Sequence, residues 1–402
     1  MRFSPSSKST HPSDPDRSII VDSAISSYLY WVLALSIVFG LAAQFSRFCL
    51  LGGLSGYRQS RDGRRLAIYL AAIGVAIIAT TLVQSLSGID LGNTRPAYRS
   101  PDFAWGRYLI GGFVFGVGMV LARGCPVRSL VKVTQGNLQA LLAVIVMALA
   151  AYAMTRTTLY ATAFLPWVGH LSTNLEAFGI KHQDLASILG GGRNLYLGLA
   201  LAISALLLFV SWRWLPLRAN WLGWLGALSI GIVVGLAFWV TGGTLGQAAS
   251  DAAEMMNNPQ QGLGLQSFTF SAPMGDVVYY LQHPAQFATI TFGVVAVVGL
   301  LLGSFVSTLV RREFVWTVPG TVSEWSRTII GALMVGIGSV LAMGCTVGHG
   351  LSGISTLALG SFLSLAAIMA GAWAALLAEA AFNRQTMGTC ATNTCPDPRE
   401  AP

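Results

Sequence analysis

The chain has 402 residues, 54% of them hydrophobic and only 10% charged, with a net charge of +8; its mean hydropathy is +0.63. These values lie outside the range of soluble globular domains and place the chain in a lipid bilayer. Its basic residues gather at the ends of apolar segments and form no continuous stripe, which argues against nucleic acid as a partner and makes membrane topology their main cause.

Residues 1–26 are polar, rich in Pro and Ser, and lack the basic-then-apolar layout of a cleaved signal. They read as a flexible tail ahead of a retained first helix. Nine apolar stretches then approach the length needed to cross about 30 Å of hydrocarbon. They are 27–49, 66–87, 107–123, 138–153, 193–212, 221–246, 286–310, 327–343 and 359–382. The expected architecture is an all-α polytopic membrane protein. Its divisions are a first transmembrane repeat at 27–153, a linker with one extra span at 154–220, a second repeat at 221–382, and a cytoplasmic tail at 383–402. An odd number of spans puts the termini on opposite sides. Fifteen of the 24 Lys and Arg residues fall on the side of the C-terminus and nine on the other. The positive-inside rule therefore sets the C-terminus in the cytoplasm and the N-terminus in the periplasm of a bacterial inner membrane.

The repeat is visible at an offset of 220. GRYLIGGFVFGVGMVLARGCPV (106–127) lies over the segment ending GALMVGIGSVLAMGCTV (331–347), so that Gly111, Gly116, Gly118, Leu121, Ala122, Gly124 and Cys125 meet Gly331, Gly336, Gly338, Leu341, Ala342, Gly344 and Cys345. After a four-residue insertion Gly136 meets Gly360, and GLAAQFS (40–46) matches GLAFWVT (235–241) more weakly. A single extra span between the copies turns the second upside down, the arrangement in which a substrate site lies near mid-bilayer between halves. The third and eighth stretches carry only 15 and 16 uncharged residues before a Gly-Cys pair. At 1.5 Å per residue that is about 23 Å, so each is expected to break and restart as a second half-helix.

Three of the five cysteines, Cys49, Cys125 and Cys345, stand beside glycines at the ends of apolar stretches and form neither a zinc spacing nor a disulfide framework. Pro126 predicts a helix beginning at Cys125, whose free N–H groups and positive dipole end suit an anion. Gly124 and Gly344 let backbone approach closely. Protonated thiols are small, polarizable, weak donors and acceptors, suited to handing along a soft sulfur anion. Gln44 and Arg47 near Cys49 are candidates for substrate contact, with interfacial anchoring an equal reading of Arg47. His349 and Ser352 follow Cys345 in a glycine-rich loop and serve either the substrate or the exposed backbone. Cys390 and Cys395 form a C-x4-C pair in the tail that reads as spare or redox-sensitive thiols, or as a metal or sulfur-relay site. No Walker loop, metal spacing or cofactor motif is present in the sequence.

These motifs resemble the YeeE/YedE family of membrane proteins, which includes thiosulfate uptake transporters. QFSRFCLLGG (44–53), GCPVRSL, GCTVGHGLSG and GSFVSTLVRREF (303–314) carry the likeness in order. It implies a nine-span, pseudo-symmetric protein that imports thiosulfate past Cys49, Cys125 and Cys345. It also implies a cytoplasmic partner of the small sulfurtransferase type. Phe45 and Ser46 depart from the family pattern after Gln44, as does the long segment 154–192. The competing reading is a membrane sulfurtransferase that carries persulfide on the same cysteines. Against it, no histidine or carboxylate adjoins Cys49 or Cys125 in sequence.

Overall fold

The computed structural model describes residues 15–215, 220–256, 260–318 and 321–392, with side chains described from 23 to 382 within those limits. Cys395 and the side chain of Cys390 lie outside them. The first half is built of α1 (Pro15–Phe45), α2 (Leu50–Ser60), α3 (Arg64–Ser87), α4 (Trp105–Leu121), α5 (Pro126–Thr134) and α6 (Leu138–Arg156). Two four-residue helices, α7 (Leu165–Val168) and α8 (Leu185–Ile188), lie in the connector before α9 (Arg193–Trp214). The second half comprises α10 (Trp221–Gly242), α11 (Thr244–Glu254), α12 (Ala272–Gln282), α13 (Phe292–Arg311), α14 (Val322–Leu341) and α15 (Leu359–Thr392). One two-residue strand pair, Asp102–Phe103 with Thr173–Asn174, ties the connector to the start of α4.

Among the described residues, eight helical segments are long and apolar enough to cross a membrane. The ninth expected span is α14. It is one unbroken helix of 20 residues, but Glu324 and Arg327 in its first turns lower its apolar character. The expected break after the third and eighth stretches is present. α4 stops at Leu121 and α5 starts at Pro126, whose fixed φ and missing N–H suit the first helical position. α14 stops at Leu341, and a helical stretch containing a π turn at Gly348–Gly353 follows Cys345.

Helices of one half pack mainly on helices of the other. α1 lies along α13 and α10 along α3; α4 is held between α14 and α15, and α14 also packs on α6. At the α4–α14 crossing the contacts are reciprocal. A Cβ on Gly111 would stand 2.4 Å from the Ala342 nitrogen, and one on Gly331 would stand 2.4 Å from the Ala122 nitrogen. Each pair is converted into the other by the 220-residue offset. Backbones this close exclude any side chain, which is how small residues drive helix association where lipid removes the hydrophobic incentive.

The outer span α9 packs on α3 and exposes Leu201, Leu206 and Phe209, a surface suited to lipid chains. Trp105, Trp212, Trp214 and Trp221 are exposed near helix ends, where indole rings sit at membrane–water interfaces.

Candidate functional site

The three cysteines are presented by one backbone device used three times. A long helix ends on a residue with left-handed backbone, Arg47, Arg123 or Met343, at φ 52°, 55° and 66°. The following N–H reaches back into the helix just ended: Phe48 to the Ala43 carbonyl at 3.0 Å, Gly124 to Met119 at 3.0 Å, Gly344 to Ser339 at 2.9 Å. The cysteine comes next and a new helix starts directly after it. A side-chain-bearing residue in the left-handed region costs about 1–2 kcal/mol, and strain of this kind gathers at functional joints.

Each sulfur then looks along the N-terminus of the helix it begins. Cys49 Sγ accepts from the Gly52 N–H at 3.2 Å and Cys345 Sγ from the Gly348 N–H at 3.4 Å. Cys125 Sγ faces the Arg128 N–H without closing a capping bond. Gly124 and Gly344 do equivalent work behind the sulfurs. A Cβ there would meet the Ser129 hydroxyl oxygen at 2.8 Å and the His349 ring at 2.8 Å, and those two side chains are themselves 220 positions apart.

All three thiols are buried and free, and they converge. The Tyr69 hydroxyl is close enough to each of them for direct electrostatic interaction, and it donates a 2.6 Å hydrogen bond to the Thr346 carbonyl. The Thr346 hydroxyl in turn faces Cys125, so the first Gly-Cys motif touches the residue that follows the second. Cys345 also has the Thr269 hydroxyl at 3.8 Å and lies near the buried Tyr98, whose hydroxyl has no hydrogen-bond partner in the structure. Sequence reading missed Tyr69, Thr346, Tyr98 and Thr269. Thr346 stands next to Cys345 in the GCTVGHGLSG motif, while no linear signal marks the other three, which reach the sulfurs from elements distant in sequence.

The other expected site residues divide into two groups. His349 and Ser352 direct their polar atoms to protein groups. Ser352 Oγ donates to the Phe268 carbonyl at 2.6 Å. His349 Nε2 is 2.7 Å from the Ala342 carbonyl and Nδ1 is 3.1 Å from Ser361 Oγ. A carbonyl only accepts, so this network assigns the proton to Nε2 and leaves Nδ1 to accept from Ser361 in a neutral ring. Gln44 and Arg47 turn instead toward Glu313, Gln44 Nε2 at 2.8 Å and Arg47 Nη2 at 3.9 Å.

Cavities lie toward both ends of α3. One of about 460 Å³ at its start is lined by Gln44, Arg47, Arg65, Arg128, Gln135 and Glu313. Two more, of about 850 Å³ and 380 Å³, share Gly88, Ile89 and Asp90 just past its end. No cysteine is among the residues lining these three cavities.

A family model described as sulphur transport matches residues 45–374. Two relatives are named thiosulfate transporter TsuA. That of Spirochaeta thermophila is 27% identical over 353 residues, covering 85% of this chain and 96% of its own length. That of Escherichia coli is 24% identical over 361 residues, covering 84% and 90%. A shorter match, 42% identical over 60 residues, links 15% of the chain to 42% of a probable transporter of Xylella fastidiosa. With these motifs in place across most of its length, the chain belongs to the sulphur-transport (YeeE/YedE) family of multi-pass membrane proteins.

Proposed function

We propose that this protein imports thiosulfate, or a related small sulfur-containing anion, across the bacterial inner membrane along a path on which Cys49, Cys125 and Cys345 are successive stations. The observation that carries the reading is the convergence of three buried thiols, each at the start of a helix, around Tyr69. Helix starts supply partial positive charge without a full cation, so an anion is attracted at each station without being trapped. A thiol that accepts from backbone N–H keeps its own proton free to donate to the anion. The unpartnered Tyr98 hydroxyl adds a further donor beside Cys345.

The reciprocal packing of α4 and α14 supports two inverted repeats related across the bilayer. The arginines around the cavity at the start of α3 support its placement in the cytoplasm, with the N-terminus opposite. That same basic face would receive a small sulfurtransferase taking over the sulfur. A persulfide-carrying enzyme is disfavoured at Cys345, because both nitrogens of the neighbouring His349 are already engaged, leaving no base poised to take the thiol proton.

Uptake of radiolabelled thiosulfate into proteoliposomes, challenged with unlabelled thiosulfate, sulfite, sulfate and selenite, tests the proposal. Saturable uptake that unlabelled thiosulfate displaces is the expected result. Absence of uptake, with persulfide accumulating on the purified protein by mass, would support the enzyme instead.

A further inference from the structure

Glu313 has an unusual set of partners for a carboxylate just past the end of a membrane span. Its Oε2 accepts from Gln44 Nε2 at 2.8 Å and Gln135 Nε2 at 3.2 Å. Its Oε1 faces Arg311 Nη1 at 3.5 Å and Arg47 Nη2 at 3.9 Å. These donors come from three places brought together only by folding: the end of α1, the residue capping α5, and the end of α13. They surround one small planar anion. The same cavity also carries the guanidinium groups of Arg65 and Arg128. Arg65 reaches the start of α2, its Nη1 lying 3.0 Å from where a Gly52 Cβ would stand, and Gly52 supplies the N–H that Cys49 accepts. Lys132 is close enough to Cys49 and Cys125 for direct electrostatic interaction. Positive charge therefore extends from the two sulfurs to the mouth, and a carboxylate of the protein itself sits in it.

We propose that this cluster is an exchange site for a small divalent oxyanion at the cytoplasmic mouth, and that Glu313 is the built-in anion occupying it between turnovers. An anion leaving Cys49 takes the Gln44, Gln135 and Arg47 donors as the carboxylate swings out. The carboxylate then returns and expels the anion by like-charge repulsion. Without such a competitor, Arg47, Arg65, Arg128 and Arg311 would hold a dianion too long for rapid release, since charge-assisted hydrogen bonds are about twice as strong as neutral ones. Glu313 thus sets the release step. The proposal rests on the transport reading, yet it concerns a binding equilibrium that is measured without transport.

The test is titration of purified protein with sulfate, read as ligand-induced stabilisation of the unfolding midpoint and by calorimetry at constant ionic strength. Glu313→Gln keeps the size and the amide contacts but removes the charge, and half-saturation is expected at about tenfold lower sulfate than in the unaltered protein. Adding Arg47→Ala to Glu313→Gln is expected to reverse most of that gain. Glu313→Asp, which keeps the charge on a shorter stem, guards against a folding defect and is expected to bind sulfate more tightly than the unaltered protein and less tightly than Glu313→Gln. Half-saturation by sulfate within twofold of the unaltered protein in folded Glu313→Gln would overturn the proposal whatever the uptake assays show. So would an equal gain for chloride, because a generic loss of negative charge would then account for it.

Discussion

The hydroxyl of Tyr69, from the first half of the chain, donates a 2.6 Å hydrogen bond to the backbone carbonyl of Thr346, the residue after Cys345 in the second half. Gly350 makes room for it, since a Cβ there would lie within bonding distance of the Tyr69 oxygen. This one contact ties the second Gly-Cys turn to α3, with the same hydroxyl within electrostatic reach of all three sulfurs. Tyr69→Phe removes this hydrogen bond, and the net loss of one intramolecular hydrogen bond costs about 0.5–1.5 kcal/mol. A lower unfolding midpoint is expected together with a fall in thiosulfate uptake, the two read by thermal unfolding in detergent and by proteoliposome assay. Full uptake in Tyr69→Phe would remove Tyr69 from the site.

Gly111→Ala and Gly331→Ala should be equally damaging. Each Cβ would stand 2.4 Å from a backbone nitrogen of the facing helix, and overpacking of this kind costs about 1–3 kcal/mol. Because both changes push apart the same crossing, the double variant should cost less than the sum of the two. Thermal unfolding of the three proteins checks this. A harmless Gly331→Ala beside a damaging Gly111→Ala would contradict the two-fold relation between the halves.

The fold was largely legible in the sequence, and the site only in part. Apolar length located the spans, and the Gly-x-Gly spacing shared by 111–125 and 331–345 marked the repeat. That these two helices cross each other at those glycines was not legible, because helix spacing alone does not say which helix packs on which. The breaks before Cys125 and Cys345 were legible for the same reason that they occur, a glycine next to the cysteine after too short an apolar run. The long range of α1, which starts at Pro15 ahead of the expected 27, was not. Polar residues continue a helix beyond the apolar core without any hydropathy signal. The roles of Tyr69 and Tyr98 were hidden because a tyrosine in a span or a loop reads the same whether it faces lipid, packing or a thiol. Glu313 had a faint signal as the one acid in VRREF at the end of a span, but two of the three stretches that supply its partners, at Gln44 with Arg47 and at Gln135, are far from it in sequence and meet it only in the folded chain.

Asp184 should give the protein an acid-labile joint. Its carboxylate pairs with Arg99 at 2.6 Å, and both are buried. Burial pushes the Asp184 carboxyl up, but the Arg99 charge and hydrogen bonds from Arg99 and Ser187 together outweigh it and hold the group below its ordinary range. A depressed folded value means stabilisation that is complete above the unfolded aspartate range, about pH 4, and lost as pH falls through the folded value. The unfolding midpoint is therefore expected to hold steady from neutral pH down to about pH 5 and to fall below about pH 4. Asp184→Asn strands the Arg99 charge and should lower stability by about 3–5 kcal/mol at neutral pH. Its further loss in acid should be smaller than that of the unaltered protein. Identical acid profiles for the two would show that another carboxylate governs.

The most direct test of a cysteine-lined path is initial-rate uptake of radiolabelled thiosulfate by proteoliposomes carrying the unaltered protein or the single changes Cys49→Ala, Cys125→Ala and Cys345→Ala. All three thiols are small and buried, so alanine leaves only a minor void and the folded variants can be compared at matched unfolding midpoints. Each change is expected to cut uptake by about tenfold or more, because a missing station leaves the anion to cross a gap without a donor. Uptake at the unaltered rate in all three folded variants would contradict the account.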